Sequence, residues 1–314
     1  MSGSKVAIIG AGSVGATIAY ACQIRGAAQT IALYDVDGGK TRAQVLDLNH
    51  GLQFTPVASV VGSDDLEVLR GADVVVLTAG AKQKPGQTRL DLAGVNVAMV
   101  EQMMSQFLAV APDAVYLVVT NPCDVVTYAA LRASGLPPSR VFGSGTVLDS
   151  SRLRYLVAQR CGVAVQNVHA FMLGEHGDSE IAVWSGANVA QQPLDQFRPH
   201  GREPLTPAEM DQVKDQVVHA AYEIIAGKGA TWYAVGLAVT RIVEALVKDE
   251  NRVLPVSVLL QGYKGIHDVC LSVPCVVAAG GITRVLDIPM SDGEVAGLRA
   301  SADQVRAVTR SLVP

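Results

Sequence analysis

The sequence predicts an α/β fold, a doubly wound, six-stranded parallel sheet followed by an α+β half. Three observations carry the prediction. Short apolar runs alternate with helical patterns through the first 143 residues, the first run ends in a glycine-rich turn, and the second ends on an acid. Parallel strands joined by crossover helices produce that alternation. The short strands that follow one another after Lys248, closed by a helix, point to a second, α+β domain.

Composition sets the frame. The chain has 314 residues, 49% apolar and 17% charged, enough for a large core in one big domain or two packed ones. A net charge of −4 without any lysine/arginine block argues against nucleic acid or an anionic membrane as partner. The opening Met1-Ser2-Gly3-Ser4-Lys5 lacks the order of a signal peptide. No apolar run approaches the roughly 18 residues of a membrane helix. Five cysteines, odd in number and scattered without ligand spacing, read as reduced thiols of a cytoplasmic protein, and no metal is expected.

Lys5 to Ile9 is the first strand. It ends in Gly10-Ala11-Gly12-Ser13-Val14-Gly15, and a helical pattern continues through Arg25. The second strand, Thr30 to Tyr34, ends at Asp35, twenty residues past Gly15. Strand, G-x-G-x-x-G, helix, strand and acid in this order mark a Rossmann-type dinucleotide site. Gly10 permits the tight turn, Gly12 lets a pyrophosphate reach the backbone, and Gly15 lets helix and strand pack closely. Ser13 and Val14 complete the turn, and the helix N-terminus adds amides and a partial positive charge. Asp35 would accept hydrogen bonds from ribose hydroxyls and repel a 2′-phosphate, so NAD is expected rather than NADP.

A helix from Gly38 to about Asn49 follows, then strands Val57–Val61 and Val74–Thr78. Thr78-Ala79-Gly80 are small enough for a cofactor to lie against the backbone. Ala81 to Asp91 is polar, with Pro85-Gly86 at its centre and Gln83 and Arg89 within it. At the carboxyl end of a strand it could act as a lid, or be a solvated loop. A helix from about Leu92 to Val110 leads to strand Val115–Val119 and Thr120-Asn121-Pro122. Asn121 could bond a nicotinamide ribose or a substrate oxygen, or cap a helix. Arg140–Phe142 closes the sheet, and Gly143-Ser144-Gly145 divides the chain into a cofactor domain, 1–143, and a substrate domain, 144–314.

The helix from about Thr146 to Cys161 carries Asp149 and Arg152 on one face, and Arg154 about 200° round from Arg152. Asp149 and Arg152 are either a surface ion pair or an orienting acid and an anion clamp. Strand-like runs Val168–Leu173 and Ile181–Trp184 flank Gly174-Glu175-His176-Gly177-Asp178. A histidine between glycines at a strand end can present its ring to a cleft, and imidazole titrates nearest neutrality. Alone, it is as readily structural. Gln191 to Pro207 is irregular, Pro207 to Ile225 is helical, and a helix of about 231–248, rich in small residues, should pack back on the cofactor domain. Strands Val253–Leu260, Val269–Val273, Val276–Ala279 and Thr283–Leu286 precede an amphipathic helix, Asp292 to Leu312.

These motifs together resemble the L-lactate/malate dehydrogenase family over essentially the full length, its bacterial L-lactate branch most of all. The resemblance rests on Gly10 to Gly15, Gln83-Lys84-Pro85-Gly86-Gln87-Thr88-Arg89, Thr120-Asn121-Pro122, Ser144 to Arg154, Gly174 to Ser179 and Ala230-Thr231. It implies that His176 is the acid/base, that Asp149 orients it, that Arg152 clamps the substrate carboxylate and that Arg89 polarises the carbonyl. Asn121 and Thr231 would line the pocket. Gln83 stands where the malate branch has arginine, which favours pyruvate over oxaloacetate, since a second buried carboxylate would go unpaired. Gln87 departs from the lactate branch's usual glutamate, which changes the charge beside Arg89. Arg154 and His169 match positions that bind fructose bisphosphate between subunits. The resemblance thus implies an allosteric, cytoplasmic homotetramer of glycolysis and fermentation. Malate dehydrogenase, a branched-chain L-2-hydroxyacid dehydrogenase and a non-catalytic nucleotide-binding protein are the alternatives.

Overall fold

A computed structural model describes residues 3–56, 59–81, 89–199 and 201–313, with the side chains of 89–91 outside the description. Six parallel strands form the centre: β1 (Lys5–Ile9), β2 (Thr30–Tyr34), β3 (Ser59–Ser63), β4 (Val74–Leu77), β5 (Val115–Val118) and β6 (Val141–Gly143). Their order is β3-β2-β1-β4-β5-β6, so the direction of winding reverses between β1 and β4. A crevice opens at the carboxyl ends of strands at such a switch point. Both faces of the sheet are covered, so these strands read as continuous apolar runs; Val6, Ala7, Ile8, Val75, Val76, Leu117 and Val118 are fully buried. Val57, where the sequence places the start of the third strand, lies outside the described residues.

The covering helices are α1 (Ser13–Arg25), α2 (Gly38–His50), α3 (Arg89–Val110) and α4 (Cys123–Ser134). The second half supplies α5 (Val147–Cys161), β7 (Val168–Leu173), β8 (Ile181–Val189), β9 (Gln192–Pro193), α6 (Pro207–Lys228), α7 (Tyr233–Val247), β10 (Arg252–Tyr263), β11 (Ile266–Ala278), β12 (Gly281–Val285) and α8 (Asp292–Leu312). Strands β7 to β9 form a separate antiparallel sheet that packs with α5 and α6 around Leu153, Val157, Met172 and Val217.

Strands β10 to β12 do not stand apart. They extend the central sheet antiparallel to nine strands, joined to β6 through the pair Ser257 and Gly143. The sequence suggests two strands on either side of Pro274, yet β11 runs through it, with Pro274 opposite Pro255. Both prolines point their carbonyls outward, to the amides of Leu286 and Thr146. The pair therefore occupies a site in the β10–β11 ladder that requires no N–H, and proline does not interrupt it.

Helix α7 packs on α1. A Cβ on Gly236 would lie 2.6 Å from Thr17 Cγ2, so the helices meet almost backbone to backbone. The Glu244 carboxylate takes two hydrogen bonds from Arg25 at the far end of that contact. A capping box of Ser291 and Glu294 starts α8. Glu294 also accepts from the Trp184 amide at 2.7 Å and from the Ser185 hydroxyl at 2.6 Å, which fixes α8 to β8.

Candidate active site

The glycine turn forms the floor of a groove at the β1/β4 switch point. Gly10 has φ +103°, and a Cβ on Gly15 would lie 1.8 Å from the Gly10 carbonyl oxygen. Only glycine fits at either place. Gly12 caps α1 without a side-chain hydrogen bond, and a Cβ there would meet nothing within 4 Å. The turn thus leaves helix amides uncapped beside open space, the requirement for cradling a phosphate. Ser13 and Val14 from the turn, Asp35 from the end of β2, and Thr78, Ala79 and Gly80 from the end of β4 line the same groove. The Thr78 hydroxyl donates to the Ile9 carbonyl at 2.8 Å and braces the two strand ends.

Asp35 bridges turn and strand. Its Oδ2 accepts from the Ala11 amide at 2.7 Å and from Lys40 Nζ at 3.0 Å, and its Oδ1 from the Asp37 amide at 3.1 Å. Burial opposes its charge, but the Asp37 amide, Lys40 and the Ala11 amide outweigh it and hold the carboxyl below its usual range. It presents a fixed anion where the groove meets the end of β2. These residues fit a dinucleotide with free ribose hydroxyls.

Val14, Thr78 and Gly80 also line a second cavity, with Asn121, Thr231, Arg152 and His176. Asn121, Arg152 and His176 continue into a third, of ≈ 320 Å³, which Asp149 and Glu180 share. One path therefore leads from the phosphate turn to the histidine. Asn121, joined to Pro122 by a cis bond, gives its carbonyl to Asn96 Nδ2 at 2.7 Å. Asn96 Oδ1 accepts in turn from the Ala81 amide at 2.8 Å. The sequence marks Asn96 only as one amide on an otherwise apolar face of α3.

His176 is held at four points. Gly174, with φ +100°, ends β7 and exchanges backbone hydrogen bonds with Ser272 of β11. The Glu175 amide donates to Ser301 Oγ of α8 at 2.9 Å. The His176 amide donates to Asp124 Oδ2 at 2.7 Å, and its ring Nδ1 lies 2.6 Å from Asp149 Oδ2. Asp124 is buried at the start of α4 and takes the Ser257 hydroxyl on its other oxygen at 2.5 Å. Burial pushes Asp124 up to about 6, against the pull of these donors. The sequence gives no hint of it beyond an acid in the first turn of a helix.

Asp149 lies between two cations. Arg152 Nη1 donates to its Oδ1 at 2.7 Å. Burial would raise its pKa, but the charge of His176, its hydrogen bond and then Arg152 outweigh it and keep the carboxyl below its ordinary range. A carboxylate only accepts, so Nδ1 carries the hydrogen and Nε2 faces the cavity. Burial favours the neutral ring of His176, yet Asp149 overcomes it, and the pKa stands at about 9. The ring therefore holds a proton at neutral pH.

Arg154, on the other side of α5, donates through Nε to the Ala170 carbonyl at 2.9 Å and stacks over the Phe171 ring. His169, the residue before Ala170, is exposed on β7. Gln83 and Gln87 lie outside the described residues; so does the side chain of Arg89, whose backbone opens α3. Among the described residues no group of acids, cysteines and histidines could hold a metal, and no helix is long and apolar enough to cross a membrane. All five cysteines are buried and unbridged.

Two family models match the chain: the lactate/malate dehydrogenase NAD-binding domain over residues 4–143 and the lactate/malate dehydrogenase alpha/beta C-terminal domain over 146–312. An L-lactate dehydrogenase of Bifidobacterium animalis subsp. lactis (strain AD011) is 50% identical over 304 residues, 96% of this chain and 95% of the relative. Another, of Thermoanaerobacter sp. (strain X514), is 44% identical over 98% of this chain and 99% of its own length. A lactate dehydrogenase from a Medee basin deep-sea metagenome library superposes with a TM-score of 0.95 at 37% identity over all of both chains. The minor L-lactate dehydrogenase of Enterococcus mundtii, in its ligands-bound form, superposes at 0.94 and 39% over 98% of each.

Proposed function

Because the chain belongs to the lactate/malate dehydrogenase family and is an NAD-dependent L-lactate dehydrogenase, we propose that His176 is its proton donor and acceptor and that Asp149 and Arg152 complete the reacting centre. In the direction of reduction, bound NADH supplies the hydride to pyruvate. His176 donates its Nε2 proton to the keto oxygen as the alcohol forms, and recovers it when L-lactate is oxidised. Asp149 keeps the ring in the productive tautomer and stabilises the imidazolium. Arg152 clamps the substrate carboxylate by parallel hydrogen bonds, which lysine could not form. Arg89 polarises the carbonyl when its loop closes and excludes water. Asn121 and Thr231 orient substrate and nicotinamide.

The observation that carries this reading is the Asp149 carboxylate bonded to both His176 and Arg152. It also sets a pH dependence. Reduction needs His176 protonated and oxidation needs it neutral, so kcat/KM for pyruvate should fall as pH rises through about 9, while kcat/KM for L-lactate rises as pH approaches that value from below. A pyruvate profile that stays flat through that range would exclude His176 as the donor.

Gln83 selects a monocarboxylic 2-keto acid, and Arg154 with His169 forms, across a subunit contact of a homotetramer, a site for fructose bisphosphate. Arg154 meeting its symmetry mate would be repelled by it without a bisphosphate between them. The cytoplasm follows as the compartment. The test is NADH oxidation with pyruvate, oxaloacetate and 2-ketoisocaproate, each with and without fructose bisphosphate. Pyruvate preference that sharpens with the bisphosphate is expected, and Arg154→Gln should lose the activation while keeping its maximal rate. Preference for oxaloacetate would move the chain to the malate branch, 2-ketoisocaproate to the branched-chain one. A wild type indifferent to the bisphosphate would end the regulatory reading.

A further inference from the structure

A second buried carboxyl lies beside the Asp149–His176 pair. Glu180 stands just before β8, at the exit of the His176 loop, and is 3% exposed. Its Oε2 is fully buried with no hydrogen-bond partner. It lines the cavity that also touches Asp149 and Arg152 of α5 and His176 and Glu175 of the loop. The cavity's other walls carry Val218 and Ala221 from α6, Val305 and Val308 from α8, and Asn121 from the loop after β5. Tyr222 and Asp178, bonded to each other at 2.6 Å, line it as well.

Arg152 is the permanent cation of this cavity among the described residues, and it is engaged by Asp149. An ionised Glu180 would have no donor for Oε2, and would set a second anion beside Asp149 in a medium that screens charge poorly. Such a group takes up a proton instead. Burial, and after it the Asp149 charge, push Glu180 up to about 9, with His176 and Arg152 pulling the other way. No step of the reaction described above uses it.

We propose that Glu180 is a positioning residue held as a neutral acid, which limits the substrate cavity to one fixed anion, Asp149, and whose ionisation closes the cavity to an anionic substrate. With Glu180 neutral, Arg152 has positive charge to spare for a substrate carboxylate. Once Glu180 is ionised, Arg152 faces two fixed carboxylates, and the substrate anion competes with both. The loss should appear in KM for the acid rather than in kcat. The inference rests on the roles given above to His176 and Arg152.

L-lactate oxidation separates the two. Its kcat/KM rises with pH as His176 gives up its proton. Glu180 then turns the curve downward, by about tenfold per pH unit once it is ionised. Wild type should give a bell, with the alkaline fall carried by KM for L-lactate. Glu180→Gln, neutral at every pH, should rise to a plateau, and Glu180→Asp should restore the fall. A merely structural role would lower the whole curve without changing its shape. If Glu180→Gln keeps the alkaline limb, the proposal is overturned. If the rising limb is missing from wild type, it is the role of His176 that fails. Should Glu180→Gln not fold, infrared spectroscopy of wild type decides. A protonated-acid carbonyl band that disappears over the pH range where affinity for L-lactate falls is expected; no such band at neutral pH overturns the inference.

Discussion

His176→Gln should lower kcat for pyruvate reduction by about 10²–10⁴-fold while leaving NADH binding intact, the loss typical of a removed general acid. Glutamine can fill the space and hydrogen-bond to Asp149, but it has no proton to exchange near neutral pH. The backbone that carries the residue is held independently of the ring, through the His176 amide on Asp124 and the Glu175 amide on Ser301. The groove proposed for NAD lies at the other end of the path, around Gly12 and Asp35. Steady-state turnover and a fluorescence titration of NADH check both halves. Retained turnover would sink the mechanism; lost NADH binding would show that the change had spread beyond the ring.

Asp149→Asn should cost on the order of 10³-fold in kcat/KM for pyruvate at neutral pH, because it removes both the tautomer lock and the charge that keeps the ring protonated. Asp149 is the dominant influence that raises His176 to about 9 against burial. Without it, burial is opposed only by the smaller influence of Glu180 and Asp124, and the pKa of the ring falls. The sign differs between the two directions. Reduction loses its donor at neutral pH, and its pH limit moves to the acid side. Oxidation, which needs the neutral ring, should be less impaired, and its rising limb should move to the acid side as well. Arg152 would also lose its partner at Oδ1, so KM for pyruvate should change. Activity profiles in both directions that scale down without moving would show that Asp149 only holds the loop.

The two changes act on a centre whose parts differ in how plainly they can be read from the chain. Gly10, Gly12, Gly15 and Asp35 are separated by 25 residues at most and belong to one strand-turn-helix-strand unit. Their spacing alone predicts a dinucleotide site, and all four line one groove. His176, Asp149 and Arg152 were assembled in the sequence only through family resemblance, since nothing in the spacing of a helix and a later loop demands that they meet. Asn96, Asp124 and Glu180 carry no such signal. Each reads as an ordinary polar residue until its partner is known, and those partners are remote: Asp124 bonds Ser257, 133 positions away. The split proposed at Pro274 failed for the same reason, because whether a proline interrupts a ladder depends on which strand lies opposite.

The alternating fold, the cofactor and the family are legible in the chain, because hydrophobic period, turn chemistry and short motifs are local properties of it. The protonation of the site arises on folding, which buries Asp149 between His176 and Arg152, where two cations keep it ionised, and buries Glu180 where its Oε2 finds no donor, so that it holds its proton. A pKa is set by desolvation and by charges across space, and neither quantity exists along the chain until it has folded.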